Sequence, residues 1–168
     1  MKNWLRSWVV AAVVAATSAC STSHVYIVRH AEKRNESDTS SLTPVGQARA
    51  QALARELASV SIDSILSTPY LRTRQTAEPL ARAKNLPVGT YAPHPTEVVL
   101  RRLNDLKGKT VLVVGHSNTI LEIAKGLGTR PTLQKIESGD HGNLYHVTIH
   151  RSLTGRKVKL EERTYGAP

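Results

Sequence analysis

The stretch His24-Val25-Tyr26-Ile27-Val28-Arg29-His30-Ala31-Glu32-Lys33 decides the fold. Four apolar or aromatic residues in a row are too few for a helix and show no polar alternation. They read as a strand buried on both faces, which is the signature of a parallel sheet covered by helices. The run stops abruptly at Arg29-His30. In open parallel sheets the working residues stand beyond the carboxyl ends of the strands, so this pair is placed where chemistry is expected.

Downstream the same alternation repeats. Thr43-Pro44 opens a helix, because Thr43 caps and Pro44 needs no amide partner in the first turn. Val45, Ala48, Ala52, Leu53 and Leu57 then recur at helical spacing to about Ala58. Ile62–Leu66 reads as a second strand, Tyr70–Lys84 as a helix, and Leu86-Pro87-Val88 as an extended piece. Glu97–Leu106 reads as a helix, Thr110–Val114 as a strongly apolar strand, and 117–127 as a helix. Leu144–His150 and Lys157–Arg163 alternate with period two and predict a closing antiparallel hairpin. Residues 35–41, Asn-Glu-Ser-Asp-Thr-Ser-Ser, form a polar loop. The expected fold class is α/β, a three-layer sandwich with a mainly parallel sheet and helices on both faces.

Three strand ends carry the candidate chemistry. The first ends in Arg29-His30, the second runs through Ser67-Thr68-Pro69 to Arg72 and Arg74, and the fourth ends in Gly115-His116-Ser117. Right-handed crossovers bring these ends to one edge of the sheet. Arginine forks and helix-terminal amides suit phosphate oxygens. A neutral imidazole is a competent nucleophile toward phosphorus, and neighbouring arginines disfavour its protonation.

Val-Arg-His-Ala-Glu-Lys at 28–33 resembles the Arg-His signature of the histidine phosphatase superfamily, the phosphoglycerate-mutase-like fold. Ser67-Thr-Pro-Tyr-Leu-Arg72-Thr-Arg-Gln-Thr76-Ala resembles its second motif, and Val113-Val-Gly-His116-Ser-Asn its third. The resemblance spans nearly all of residues 24–150. It implies that His30 becomes phosphorylated and that Arg29, Arg72 and His116 bind the phosphoryl oxygens, with help from the Ser117 amide. Arg74 does not match the family's arginine position and reads as a surface residue. Thr76 is expected to pack or bond within its helix. The resemblance also implies a metal-independent phosphatase that needs no cofactor. Its substrate would be a phosphorylated small molecule or a phosphohistidine-type group. Mutases of this family carry extra segments over the site that this chain lacks, so hydrolysis is expected over transfer.

A general acid is expected between the second and third motifs, where many family members carry a carboxylate. Glu97 is the first choice, His94 the second, and Glu32 the third. Glu97 at a helix start is equally explained by the helix dipole. Without an acid, substrates with good leaving groups are implied. A non-catalytic phosphate- or anion-binding envelope lipoprotein is the alternative from a different class.

Two cations and a short apolar run, Trp8–Ala16, precede Thr17-Ser18-Ala19-Cys20. This predicts a signal peptide over 1–19 and a domain over 20–168. The single cysteine, Cys20, sits where a lipobox places the lipidated residue. The expected location is the bacterial cell envelope, on the periplasmic face, with the membrane as a partner through the N-terminal lipid. A plain export signal with an incidental cysteine is the alternative.

The net charge of +10 favours anionic partners. Aromatics make up only 4% of the chain and do not interleave with the cations, which argues against nucleic acid. His146 and His150 share a face of the predicted strand, with His141 nearby. Surface histidines are the preferred reading there, and a metal site the lesser one.

Overall fold

The computed structural model describes residues 20–166. The segment 1–19, on which the export signal rests, and residues 167–168 lie outside the described residues. Ten elements follow in order: β1 (Ser21–Arg29), α1 (Pro44–Glu56), β2 (Ser64–Ser67), α2 (Leu71–Lys84), β3 (Val88–Thr90), α3 (Glu97–Asp105), β4 (Thr110–Gly115), α4 (Ile120–Gly126), β5 (Asn143–Ser152) and β6 (Gly155–Thr164). The six strands form one sheet in the order β3-β2-β4-β1-β5-β6. β1 to β4 run parallel, and β5 and β6 close the sheet antiparallel.

Alternation along the central strands divides the core in two. Val25 and Ile27 of β1 join Val111 and Val113 of β4 on one face, packed under Val99 and Leu103 of α3 and Ile120 and Ile123 of α4. Tyr26 and Val28 join Leu112 and Val114 on the other face, under Leu53 of α1 and Leu80 of α2. Both faces are apolar, which is why β1 and β4 read as unbroken hydrophobic runs. Each fully buried aliphatic side chain contributes about 1.5–3 kcal/mol. The three-layer α/β architecture is the expected one.

α1 starts as its sequence predicts: the Thr43 hydroxyl accepts from the Gly46 amide at 3.0 Å, and Pro44 occupies the first turn. Gly46 is required there, because a Cβ would lie 2.3 Å from the Glu32 carbonyl oxygen. That close approach holds α1 against the segment following His30.

Element boundaries differ from expectation where partners decide them. β1 begins at Ser21, three residues early, because Ser21–Ser23 pair with Ile149–Arg151 of β5. β2 runs 64–67 rather than 62–66. α4 begins at Ile120, not at 117, because the Thr119 hydroxyl takes the His116 amide at 3.0 Å and residues 117–119 form a turn.

The strand histidines also depart from the surface reading. His146 is buried, with its ring stacked on Tyr26 at 4.2 Å between centroids and its Nε2 3.0 Å from His24 Nδ1. His150 alone of the three is exposed, with Nδ1 2.9 Å from the Thr22 hydroxyl. His141 is buried and belongs to the site described below. Among the described residues no three His, Cys, Asp or Glu side chains stand together to hold a metal ion.

Candidate active site

The order β2-β4-β1 sets three strand ends side by side. Arg29 lies in register with Gly115, and Ser67 with Val114. A cavity of about 640 Å³ opens beyond them, lined by Arg29, His30, Arg72, His116 and Ser117. Lys33, Tyr70, His94 and Asn118 line it too, with the segment Lys135–Ser138. Six candidates named from sequence, His94 among them, therefore share one cavity.

His30 is only 3% exposed and clamped on every side. Its amide donates to the Gly115 carbonyl at 3.0 Å. Its ring Nδ1 stands 2.8 Å from the Ala31 carbonyl. A carbonyl only accepts, so Nδ1 carries the hydrogen and Nε2 keeps the lone pair. The His30 carbonyl accepts from His141 Nδ1 at 2.8 Å by the same reasoning. The Ala31 amide donates to the Thr76 hydroxyl at 2.9 Å, which itself donates to the Arg72 carbonyl at 2.8 Å. Thr76 thus bonds within its helix, as expected, and also ties α2 to the residue after His30.

Protonation of His30 is pushed down to about 3. Burial is the largest cause. The hydrogen bond to Ala31 opposes it, and the charges of Arg29, His116 and Arg72 add to the lowering. The arginines act in the predicted direction but come after desolvation. His116 is lowered to about 4, again chiefly by burial, then by Arg72 and Arg29. Its ring lies 5.5 Å from that of His30, edge-on. A chain of hydroxyls orients it: Nε2 is 2.9 Å from Thr68 Oγ1, which is 2.8 Å from Thr73 Oγ1, and Thr73 donates to the Tyr70 carbonyl at 2.8 Å.

The two arginines are held differently. Arg29 Nη1 donates to the carbonyls of Glu137, Ser138 and Asp140 at 2.7, 3.0 and 3.1 Å. Arg72, in the first turn of α2, reaches the Ser37 carbonyl at 3.3 Å and lies 4.5 Å over the Tyr70 ring. In both, Nε is buried without a hydrogen-bond partner among the described residues. Buried cationic donors left unpaired are costly, so this pair fits an anion bound between them.

Other candidates fall elsewhere. Glu97 is exposed and does not line the cavity, which corrects its first place as acid. α3 buries Val99 and Leu103, and helical geometry then turns Glu97 away from the core. Glu32 also lies outside the cavity lining, with Arg49 Nε 2.8 Å from its Oε1. Burial raises its carboxyl, but pairing with Arg49 outweighs that and holds it below the usual range. Arg74 is exposed and outside the cavity lining. Ser117 lines the cavity, but α4 starts three residues later, so no helix terminus stands directly behind its amide. Cys20 is exposed and unpaired just ahead of β1.

Lys33, Tyr70, Asn118 and Lys135 are not expected at the site from their sequence context, and His141 is expected there only as a neighbour of the strand histidines. The available signal was the long irregular connection 127–142, since connections of that length in compact domains are commonly functional.

This is a phosphoglycerate-mutase-like α/β fold with two histidines and two arginines converging beyond its parallel strands. The sequence model of the histidine phosphatase superfamily (branch 1) matches residues 25–92, a stretch that includes Arg29, His30 and Arg72. No curated protein matches the chain. The structure of the protein histidine phosphatase SixA complexed with tungstate superposes with TM-score 0.69 at 21% identity, covering 84% of this chain and 96% of that one. The mycobacterial glucosyl-3-phosphoglycerate phosphatase gives 0.67 at 14% identity, covering 86% and 100%. The putative phosphohistidine phosphatase SixA from Agrobacterium tumefaciens gives 0.60 at 22%, covering 86% and 98%. These likenesses show the fold.

Proposed function

We propose that this chain is a hydrolase that removes phosphoryl groups from phosphomonoesters or phosphoramidates through a phosphohistidine on His30. One observation carries the reading: Nδ1 of His30 is committed to the Ala31 carbonyl, while Arg29 and Arg72, each with a buried Nε lacking a hydrogen-bond partner among the described residues, line the same cavity. Nε2 is then the free nucleophile. It attacks phosphorus, the leaving group departs in line, and the arginines with His116 hold the equatorial oxygens as their charge grows. The Ser117 amide sits where it can add a donor. The cationic groups supply the charge that a metal ion would otherwise bring, so activity is expected to survive a strong chelator.

The names of the structural neighbours, a phosphohistidine phosphatase and a phosphorylated-sugar-acid phosphatase, favour a phosphorylated substrate. The test is labelling with a radioactive phosphodonor. An acid-labile, alkali-stable phosphoenzyme is expected, absent in His30→Ala. Tight phosphate binding without turnover would favour the non-catalytic anion-binding reading instead.

We further propose export with a lipidated Cys20, so that the membrane is a partner through the lipid. β1 runs from beside Cys20 to Arg29, which separates anchor from cavity by roughly 26 Å. The cavity would open away from the membrane. Among the described residues no helix is long and apolar enough to cross a bilayer. Labelling with a palmitate analogue, lost in Cys20→Ser together with membrane fractionation, tests this.

A further inference from the structure

Breaking a P–O bond to an alkyl alcohol leaves an alkoxide unless a proton arrives with the departing electrons. In-line displacement fixes where that proton must come from: the side opposite the nucleophile. His30 forms the buried floor of the cavity, so the leaving oxygen points to the mouth.

The carboxylates at the mouth are committed. Glu36 is ion-paired with Lys33, and that hydrogen bond is the main reason its carboxyl lies below the usual range. Glu137 is paired with Lys135 at 3.0 Å. A carboxyl held below its usual range by an ammonium partner, as in Glu36, is a poor proton donor. Glu97 and Glu32 do not line the cavity.

His94 does line it, on the loop between β3 and α3, and is exposed as a group at the mouth should be. Its charge is felt at His116, which places it close to the phosphoryl site. Its Nε2 is 3.1 Å from the side-chain amide nitrogen of Asn118, another cavity residue. An amide donates in one orientation and accepts after a half-turn. With Nε2 held by Asn118, Nδ1 is the nitrogen left to give up and regain a proton, and the amide turned to present Oδ1 accepts from Nε2–H in both states.

We infer that His94 is the proton donor to the leaving oxygen, and that the site therefore takes phosphomonoesters of unactivated alcohols; this rests on the phosphatase reading above. In the first step the bond from His30 Nε2 to phosphorus forms and the P–O bond to the alcohol breaks. The electron pair goes to oxygen, which takes the proton from the His94 imidazolium. In the second step neutral His94 removes a proton from water as its oxygen attacks phosphorus. The P–N bond breaks, its electron pair returns to His30, and inorganic phosphate leaves with His94 reprotonated.

The test compares kcat/KM on glycerol 2-phosphate and 4-nitrophenyl phosphate for the wild type and His94→Gln. Glutamine keeps an amide toward Asn118 but transfers no proton. A loss of about a hundredfold or more is expected on the alkyl ester and only a few-fold on the aryl ester, whose leaving group needs little help. Equal losses on both esters, or none on either, would overturn the assignment. A wild type that hydrolyses the aryl ester but not the alkyl ester would overturn it too, while leaving the phosphohistidine mechanism standing. Failure on both esters with no phosphoenzyme would remove that mechanism and this inference together.

Discussion

The carbonyl of His30 accepts a 2.8 Å hydrogen bond from Nδ1 of His141, a residue 111 positions further along the chain. The His141 ring lies 5.6 Å from the His30 ring and does not line the cavity. It is a positioning residue: it fixes the peptide from which the nucleophile projects. His141→Phe removes the donor and keeps a ring. A fall in kcat of about 10–100-fold with KM within about threefold is expected, since small misplacements of a reacting group cost this much. Steady-state kinetics on 4-nitrophenyl phosphate measures it, and recovery of part of the loss in His141→Asn, which retains an N–H, separates positioning from packing. A rise in KM alone would contradict the assignment.

Arg29 and Arg72 are expected to separate in a stability measurement. Arg29 ties down the 137–140 turn through three carbonyls, whereas the Arg72 guanidinium stacks on Tyr70 and makes only long hydrogen bonds, to Ser37 and Asp38. Both alanine variants should abolish most activity. Arg29→Ala should also lose about 2–3 kcal/mol of stability, because hydrogen bonds from a charged donor are worth about 1.5–3 kcal/mol. Arg72→Ala should lose clearly less. Urea unfolding of the two variants decides it, and equal losses would show that the turn is held by something other than Arg29.

Glu97 and Glu32 exchange the importance that sequence position suggests. Glu97→Gln is expected to change kcat by less than about twofold and stability by less than about 0.5 kcal/mol, as for exposed positions generally. Glu32→Gln leaves the Arg49 guanidinium, 9% exposed, without its ionic partner. A cost of about 1–2 kcal/mol follows, because the glutamine oxygen still accepts from Arg49 but without its charge. Melting curves and initial rates for both variants test the contrast. A large kcat loss in Glu97→Gln would return that residue to the site.

Neither His30 nor His116 should change charge between pH 5 and 8. Their proton affinities are lowered to about 3 and about 4, mainly by burial. NMR titration of the ring protons should give flat shifts for both over that interval, and a midpoint near 6.5 for either would contradict their burial.

The same two histidines set a direction for acid unfolding. In the unfolded chain they take protons near pH 6.5, while the folded protein does so only near 3 and 4. Stability is therefore full above about pH 6.5 and declines as pH falls toward 4, by at most about 1.4 kcal/mol per pH unit for each ring. Urea midpoints at pH 7 and 5 should show the loss, and His116→Asn should show a shallower one. Stability that rises on acidification over this window would refute the linkage.

Much of this was legible in residue order. The unbroken apolar runs at 25–28 and 111–114 specified strands covered on both faces, and Thr43-Pro44 specified a helix start, because burial period and capping are local properties. Arg29, His30, Arg72 and His116 were legible because each ends a strand or starts the helix that follows one, and parallel connectivity brings such ends together.

The precedence of His94 over Glu97 at the cavity was not legible, and neither was the contact of His141 with His30. Glu97 and His94 lie three positions apart on one loop-to-helix transition, yet only His94 lines the cavity. Which of them does depends on the rotation of α3, set by Val99 and Leu103 packing under the sheet. His141 reaches His30 only because the 127–142 connection crosses the end of β1, held there by Arg29.

Periodicity, capping and motif order are carried by neighbours along the chain, so residue order alone specified the layered fold and the meeting of His30 with Arg29, Arg72 and His116. Rotations of helices and the paths of long loops are settled by packing between residues a hundred positions apart. Only the tertiary structure could therefore decide which histidine steadies the floor of the cavity and which stands at its mouth.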